Sequence, residues 1–175
     1  MVDRFTTADG LSLAYDVQGA GPAVLCLAGL TRNMADFDPV VDHFATRAMI
    51  IRLDSRGRGA SDFDPDFLNY SIPQESADAL ALLDHLGLEK AAILGTSRGG
   101  LIAMTLAVLA KHRLSGVLLN DIGPEINPAG LSHIMDYLGR PPAYRSYEEA
   151  ADKLPNALGA QFPNVTRAQW LSYAR

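Results

Sequence analysis

Apolar residues along the chain fall into two kinds of run that alternate with one another. Short, near-continuous runs occupy 23–28, 48–53, 91–94 and 116–120, and between them lie stretches with apolar residues three and four apart. A short continuous run suits a strand covered on both faces, whereas spacing of three and four marks a helix with one buried stripe. Strands alternating with helices predict an α/β fold with a mostly parallel, doubly wound sheet. Residues 3–18 differ: two strand-like runs meet at Asp9-Gly10, a dipeptide that supplies the positive φ angles of a tight antiparallel hairpin.

Helix boundaries are legible from capping residues. Phe37, Val40, Val41 and Phe44 follow helical spacing, with Asp38 as the expected cap and Pro39 at the first helical position. Ser71-Ile72-Pro73-Gln74 is a capping box opening a helix to about Leu86, with Gly87 as its stop. After Pro124 the strand signal ends. Asn127-Pro128 opens a helix striped by Leu131, Ile134, Met135 and Leu138 and closed by Gly139, and Ser146 with Glu149 and Thr166 with Gln169 form two further capping boxes. The expected organisation is a core at residues 1–123 and a helical segment at 124–175 seated on the strand ends. The apolar stripes of that segment serve either ordinary packing or the lining of a substrate pocket.

Composition narrows the function. The 175 residues carry 15 basic and 20 acidic side chains, a net charge of −5, so there is no basic footprint for nucleic acid or an anionic membrane. The start, MVDRFTTADG, lacks the pattern of a secretory leader, and the longest apolar run, Leu101 to Ala110, is too short to span a bilayer. The expected location is cytoplasmic. The single cysteine, Cys26, lies within an apolar run, which suits core packing in a reducing compartment.

The chemistry centres on Gly95-Thr96-Ser97-Arg98-Gly99-Gly100, between an apolar strand and a helix-forming run. G-x-S-x-G at a strand-to-helix turn places the serine hydroxyl above the sheet, because the bend leaves no room for side chains at the flanking glycines. The first free N–H groups of the helix then point to the same place, where a developing oxyanion could be held. A serine between glycines can instead mark only a turn. A phosphate cradle is the other option, but the lysine of G-x-x-x-x-G-K-[ST] and the spacing G-x-G-x-x-G are both absent.

These pieces resemble the α/β-hydrolase superfamily over nearly the whole chain. Three motifs carry the resemblance: the elbow Gly95 to Gly100, the loop Leu27-Ala28-Gly29-Leu30, and LDSRGRGASD from Leu53 to Asp62, similar to the family's D-x-R-G-x-G-x-S turn. The segment after Pro124 looks like the start of the family's helical cap. The resemblance implies Ser97 as nucleophile, with an oxyanion hole built from the backbone N–H groups of Leu30 and Arg98. Many members have a histidine before the loop glycine, where this chain has Ala28. Dehalogenases and epoxide hydrolases of this fold attack with an aspartate at the elbow, so neither activity is implied. Hydrolysis of a small apolar ester, thioester, lactone or C–C bond substrate is implied, or acyl transfer by the same acyl-enzyme, with no cofactor and no metal. A non-catalytic ligand-binding protein of the same fold is the alternative.

A serine nucleophile needs a histidine base oriented by a carboxylate. His112 lies fifteen residues beyond Ser97 on what reads as the same helix, roughly 22 Å away along its axis. His85 ends the preceding helix, and His43 sits about two turns down its own. His133, in the helical segment, is the one of the four placed to approach Ser97. In the family the histidine follows the last strand of the sheet, so it is expected beyond Arg175. Asp121, after the strand 116–120, is either the acid or an aspartate bonding its own backbone in the turn before Pro124. On this reading the core is C-terminally incomplete: strand 116–120 lacks a further neighbour, and residues 1–175 alone are expected to aggregate and be inactive.

Overall fold

The computed structural model describes residues 2–126, 135, 138–139, 143–160 and 162–174. The chain divides into two compact units, Met1–Ile126 and Asn127–Arg175.

The first unit is a six-stranded sheet. Its strands are β1 (Asp3–Thr6), β2 (Ser12–Gln18), β3 (Ala23–Leu27), β4 (Met49–Leu53), β5 (Ala91–Thr96) and β6 (Leu114–Asn120), in the order β1-β2-β4-β3-β5-β6. β1 and β2 pair antiparallel, as do β2 and β4; the pairs β4–β3, β3–β5 and β5–β6 are parallel. Helices α1 (Asp38–Phe44), α2 (Ile72–His85) and α3 (Arg98–Leu109) connect the parallel strands.

Strand periodicity sorts the apolar runs onto two faces, as expected for strands covered on both sides. Leu25, Leu27, Ile51, Leu53 and Ile93 pack with Leu82 and Leu83 of α2 and Ile102 and Leu106 of α3. The alternate residues Cys26 and Ile50 form the smaller cluster with Phe37, Val40 and Val41 around α1. Cys26 is fully buried, and burial pushes its thiol up to about 12, against a smaller opposing pull from the Arg52 charge. It packs as a small apolar side chain with no thiolate character. β6 is an edge strand of this sheet, with Val117 and Leu118 exposed.

Three local expectations are corrected. The β1–β2 connection is a five-residue loop, because Thr6 pairs with Ser12 and Thr7 N–H donates to Leu11 C=O at 2.9 Å. Gly10 carries positive φ there (+87°) and Asp9 does not; the Asp9 carboxylate instead accepts from the Thr7 hydroxyl and draws the loop into a wider turn. Asp38 is not the cap of α1. A 3-10 turn, Met34–Phe37, capped by Asn33, runs directly into α1, and Asp38 instead accepts from Arg52. His112 is not on α3, because Ala110 (φ −139°, ψ 39°) ends that helix and His112 belongs to a separate turn, Lys111–Arg113. The box at Ser71 forms by half: Ser71 Oγ accepts from Gln74 N–H, while the Gln74 side chain turns to Asp78.

In the second unit, Ser146 caps the helix Tyr147–Leu158 by accepting from Glu149 N–H at 3.1 Å. Thr166 and Gln169 form the full reciprocal box before the helix Arg167–Ala174. Trp170 is buried there, edge-to-face with Phe162 and Tyr173. No strand occurs among the described residues after Pro124. The helix expected from Asn127 to Gly139, His133 included, lies mostly outside the described residues. Among the described residues no helix is long and apolar enough to cross a membrane.

Arg52 of β4 joins the sheet's antiparallel side to α1 by pairing with both Asp16 of β2 and Asp38. Burial pushes the Asp16 carboxyl up, but the Arg52 and Gln18 hydrogen bonds outweigh it and hold the group below its ordinary value. A carboxylate depressed in the folded state contributes stability that is present above its unfolded pKa, about 3.9, and lost as pH falls through the folded value. Asp16→Asn should therefore lower the Tm of the full-length protein near neutral pH, with the gap to wild type closing as pH falls from 5 toward 2. Thermal unfolding followed by circular dichroism checks this; a gap independent of pH would exclude the ionised pair as its source.

Candidate active site

β5 ends at Thr96 and α3 begins at Arg98, so the whole reversal is made at Ser97. Its φ of 49° and ψ of −111° lie outside both the helix and strand regions, and the only other non-glycine residue with positive φ among the described residues is Asp121. Hydrogen bonds hold the bend on both sides. Ser97 N–H donates to Asn120 C=O of β6 at 3.0 Å, and Ser97 C=O accepts from Gly100 and Leu101 N–H at 2.8 and 3.2 Å.

The surrounding glycines explain the spacing. A Cβ at Gly95 would lie 2.4 Å from Gly99 O; one at Gly99 would lie 2.0 Å from Leu27 O; and one at Gly100 would lie 2.3 Å from Ile122 Cγ2. Strand β5, helix α3 and strand β3 therefore meet at a separation that side chains cannot occupy.

The loop after β3 passes beside the serine: a Cβ at Gly29 would sit 3.8 Å from Ser97 Cβ. Leu30 follows directly. The N–H groups of Leu30 and Arg98 donate to no described backbone acceptor. The Arg98 N–H is the first of α3, and a helix offers no internal partner to its first N–H groups. The Arg98 side chain turns away, donating to both carboxylate oxygens of buried Glu75 at 2.8–3.2 Å and to Tyr70 C=O at 3.0 Å. Arg98 is thereby left with its backbone at the elbow and its charge neutralised elsewhere.

The turn after β4 braces this loop. Buried Asp54 accepts from Met34 N–H at 2.7 Å and from Ala60 N–H at 2.8 Å, and its burial raises its pKa despite those two donors. Gly59 sits against the same carboxylate: a Cβ there would lie 2.0 Å from Asp54 Oδ2. Arg56 is fully buried and bonds both oxygens of Asp78, at 2.7 and 2.8 Å, together with Asp64 at 2.6 Å and Asp9 at 3.1 Å. Arg58 donates through Nε to Leu30 C=O at 2.7 Å.

The structure sets Gly29, the residue before Leu30, and Arg98 beside Ser97, and it sets Asp121 one residue past Asn120, whose carbonyl accepts from the Ser97 N–H. Asp121 is exposed, and its carboxylate accepts no hydrogen bond among the described residues; the turn in which it bonds its own backbone does not form. His85 bonds the Tyr15 hydroxyl at 3.1 Å and stacks near Phe5; His43 is exposed against Phe44; His112 is exposed past the far end of α3. No described histidine hydrogen-bonds Ser97, and His133 lies outside the described residues.

Sequence reading passed over Glu75, Tyr70 and Arg58. One signal was available for the first: Glu75 and Asp78 share the face of α2 that carries Ala79 and Leu82, and acids on an apolar face call for buried basic partners. For Arg58 and Tyr70 no such signal existed: Arg58 bonds the backbone carbonyls of Leu30 and Arg56, and Tyr70 takes part through its own carbonyl, which accepts from Arg98, and through its ring.

The model of the α/β hydrolase fold family matches residues 22–168. The chain belongs to this family. It is 38% identical over 161 residues to the 3-hydroxybutyrate-oligomer hydrolase of Cupriavidus necator, covering 90% of this chain and 55% of that protein. It is also 31% identical over 125 residues to 3-oxoadipate enol-lactonase 2 of Acinetobacter baylyi, covering 70% of this chain and 46% of that one. Among solved structures, an α/β hydrolase from Novosphingobium aromaticivorans superposes with a TM-score of 0.91 at 37% identity, over 99% of this chain and 62% of that one. The chain thus spans about half the length of the curated relatives it matches.

The elbow geometry yields a paired prediction. Gly99→Ala should destabilise the protein by about 3 kcal/mol or more, since the new methyl meets backbone that cannot yield. Gly10→Ala meets nothing within 4 Å and strains only φ, which costs about 1 kcal/mol. Urea denaturation of the two full-length variants measures the difference; equal midpoints would refute the close approach at Gly99.

Proposed function

We propose that the full-length protein is a serine hydrolase working through an acyl-enzyme. The observation that carries this reading is the backbone of Ser97, a left-handed serine at a strand-to-helix junction with glycine contacts on both sides. Such strain persists where surrounding structure imposes it and is concentrated at functional positions. In this reading Ser97 Oγ attacks the substrate carbonyl carbon while a histidine outside the described residues takes its proton. The oxyanion is received by the Leu30 and Arg98 N–H groups. Collapse of the tetrahedral intermediate expels the leaving alcohol with that proton, and water then repeats the sequence on the acyl-enzyme.

Asp121 is the acid of this reading. Its carboxylate is uncommitted, and it stands at the end of the strand next to the elbow, on backbone held at φ 54°. The substrate class is a small, largely apolar carboxylic ester or lactone. Two relatives support that choice, since their names denote hydrolysis of 3-hydroxybutyrate oligomers and of an enol-lactone.

A fluorophosphonate probe is expected to label the full-length protein at Ser97, and Ser97→Ala should abolish both labelling and hydrolysis of p-nitrophenyl esters. Labelling that survives this substitution would remove Ser97 from the nucleophile's role.

Asp121→Asn should be accepted by the fold, because asparagine tolerates the left-handed backbone as well as aspartate does. It should lower kcat by roughly 10⁴ by fixing the imidazole in the wrong tautomer. Steady-state kinetics would assign the acid to a later residue if kcat stays near wild type.

A further inference from the structure

The buried or half-buried arginines Arg32, Arg52, Arg56, Arg98 and Arg113 each pair with a carboxylate. Arg58 is half-buried as well, yet no acid pairs with it among the described residues. Its guanidinium instead bonds two backbone carbonyls, Leu30 C=O through Nε and Arg56 C=O through Nη1, both at 2.7 Å. Burial lowers its pKa, in keeping with a cation held without a contacting anion. A cation retained there without a carboxylate calls for a geometric reason, since desolvating a guanidinium is costly.

The surroundings supply that reason. The guanidinium carbon sits 5.5 Å from the centre of the Tyr70 ring, a cation–π seat. That ring is fixed in turn: its hydroxyl accepts from Asp64 N–H at 2.8 Å, and its edge fills the place where a Gly57 side chain would be. Tyr70 C=O accepts from Arg98, the residue after the nucleophile. Tyr70 is therefore shared by two arginines, one reaching the loop at Leu30 and the other anchoring the start of α3.

We propose that Arg58 is a positioning residue: seated on Tyr70, its planar fork ties the Leu30 carbonyl to the Arg56 carbonyl and so fixes the oxyanion loop relative to Ser97. This rests on the reading of Ser97 as nucleophile and of Leu30 N–H as an oxyanion donor. The Leu30 carbonyl belongs to the peptide after that N–H, so a carbonyl free to rotate would let the donor swing off the position of the oxyanion. Lysine cannot replace the fork, because one ammonium does not hold two carbonyls in a plane.

The test uses full-length wild type, Arg58→Ala, Arg58→Lys and Ser97→Ala with p-nitrophenyl acetate and a fluorophosphonate probe. Arg58→Ala should lose about ten- to hundredfold in kcat, a part of what removing a whole oxyanion donor costs, with KM within about twofold. The rate of phosphonate labelling should fall in parallel, and millimolar guanidinium should restore part of both. Arg58→Lys should fold, lose a smaller share and gain nothing from guanidinium; it carries the test if the alanine variant does not fold. Unchanged kcat in either folded variant overturns the proposal. So does a loss that tracks Tm, moves KM equally and resists guanidinium, which would make Arg58 a purely structural residue. Turnover and labelling that persist in Ser97→Ala would instead overturn the nucleophile reading beneath it.

Discussion

The close approach of β3, β5 and α3 at three glycines is the constraint on which the rest of the site depends. With Gly99 against Leu27 backbone and Gly95 against Gly99 backbone, helix and sheet meet without an intervening layer of side chains. That contact draws the start of α3 down onto the sheet, and the connection must then be closed within one residue. Ser97 takes the left-handed conformation as a result. A side chain on a reversal this tight has one direction open to it, outward past the strand end. The same geometry points the unpaired N–H groups of α3 to the same side. In the proposed mechanism, nucleophile placement and anion binding would both come from this one packing event.

A second layer of order comes from buried charge. Arg56 holds Asp78 of α2, Asp64 and Asp9, and so gathers a helix and two loops around the turn after β4. Replacing a buried ion cluster by apolar side chains can be neutral for stability, but removing one partner leaves an uncompensated charge and costs several kcal/mol. What the cluster gives this fold is location. It fixes the Gly57–Gly59 turn, from which Asp54 reaches Met34 N–H and Arg58 reaches Leu30 C=O. The loop beside Ser97 is held by side chains of the neighbouring strand's turn as well as by its own.

Local signals carried much of this into the sequence. The G-x-S-x-G spacing is a record of the glycine contacts, and the apolar runs of β3, β4 and β5 became strands whose residues alternate between two covered faces, whereas that of β6 leaves Val117 and Leu118 exposed. The caps at Ser71, Ser146 and Thr166 were readable because their partners lie three residues away. Two of the misreadings share a cause. Asp38 had the right spacing for a cap, yet Arg52 from another strand claimed it; Asp9-Gly10 had the right composition for a tight turn, yet the Thr7 hydroxyl and Arg56 drew Asp9 into a wider one. Such outcomes are decided by which tertiary partner arrives, and single-sequence spacing does not encode that. For the proposed base, none of the described histidines lies on a loop at the elbow, so no local pattern selected one.

Asp121 and Ser97 together carry a further argument. They are the two non-glycine residues held at positive φ among the described residues, and they stand at the ends of adjacent parallel strands joined by the bond from Ser97 N–H to Asn120 C=O. Left-handed backbone costs about 1–2 kcal/mol at a residue with a side chain, and glycine at either position would remove that cost. Seven glycines already serve the positive-φ turns elsewhere in the described chain. Where this sequence needs only a turn it uses glycine, and at these two neighbouring strand ends it bears the strain and keeps a hydroxyl and a carboxylate. A turn requires neither group. The proposed serine acyl-enzyme mechanism uses both, with an imidazole between them.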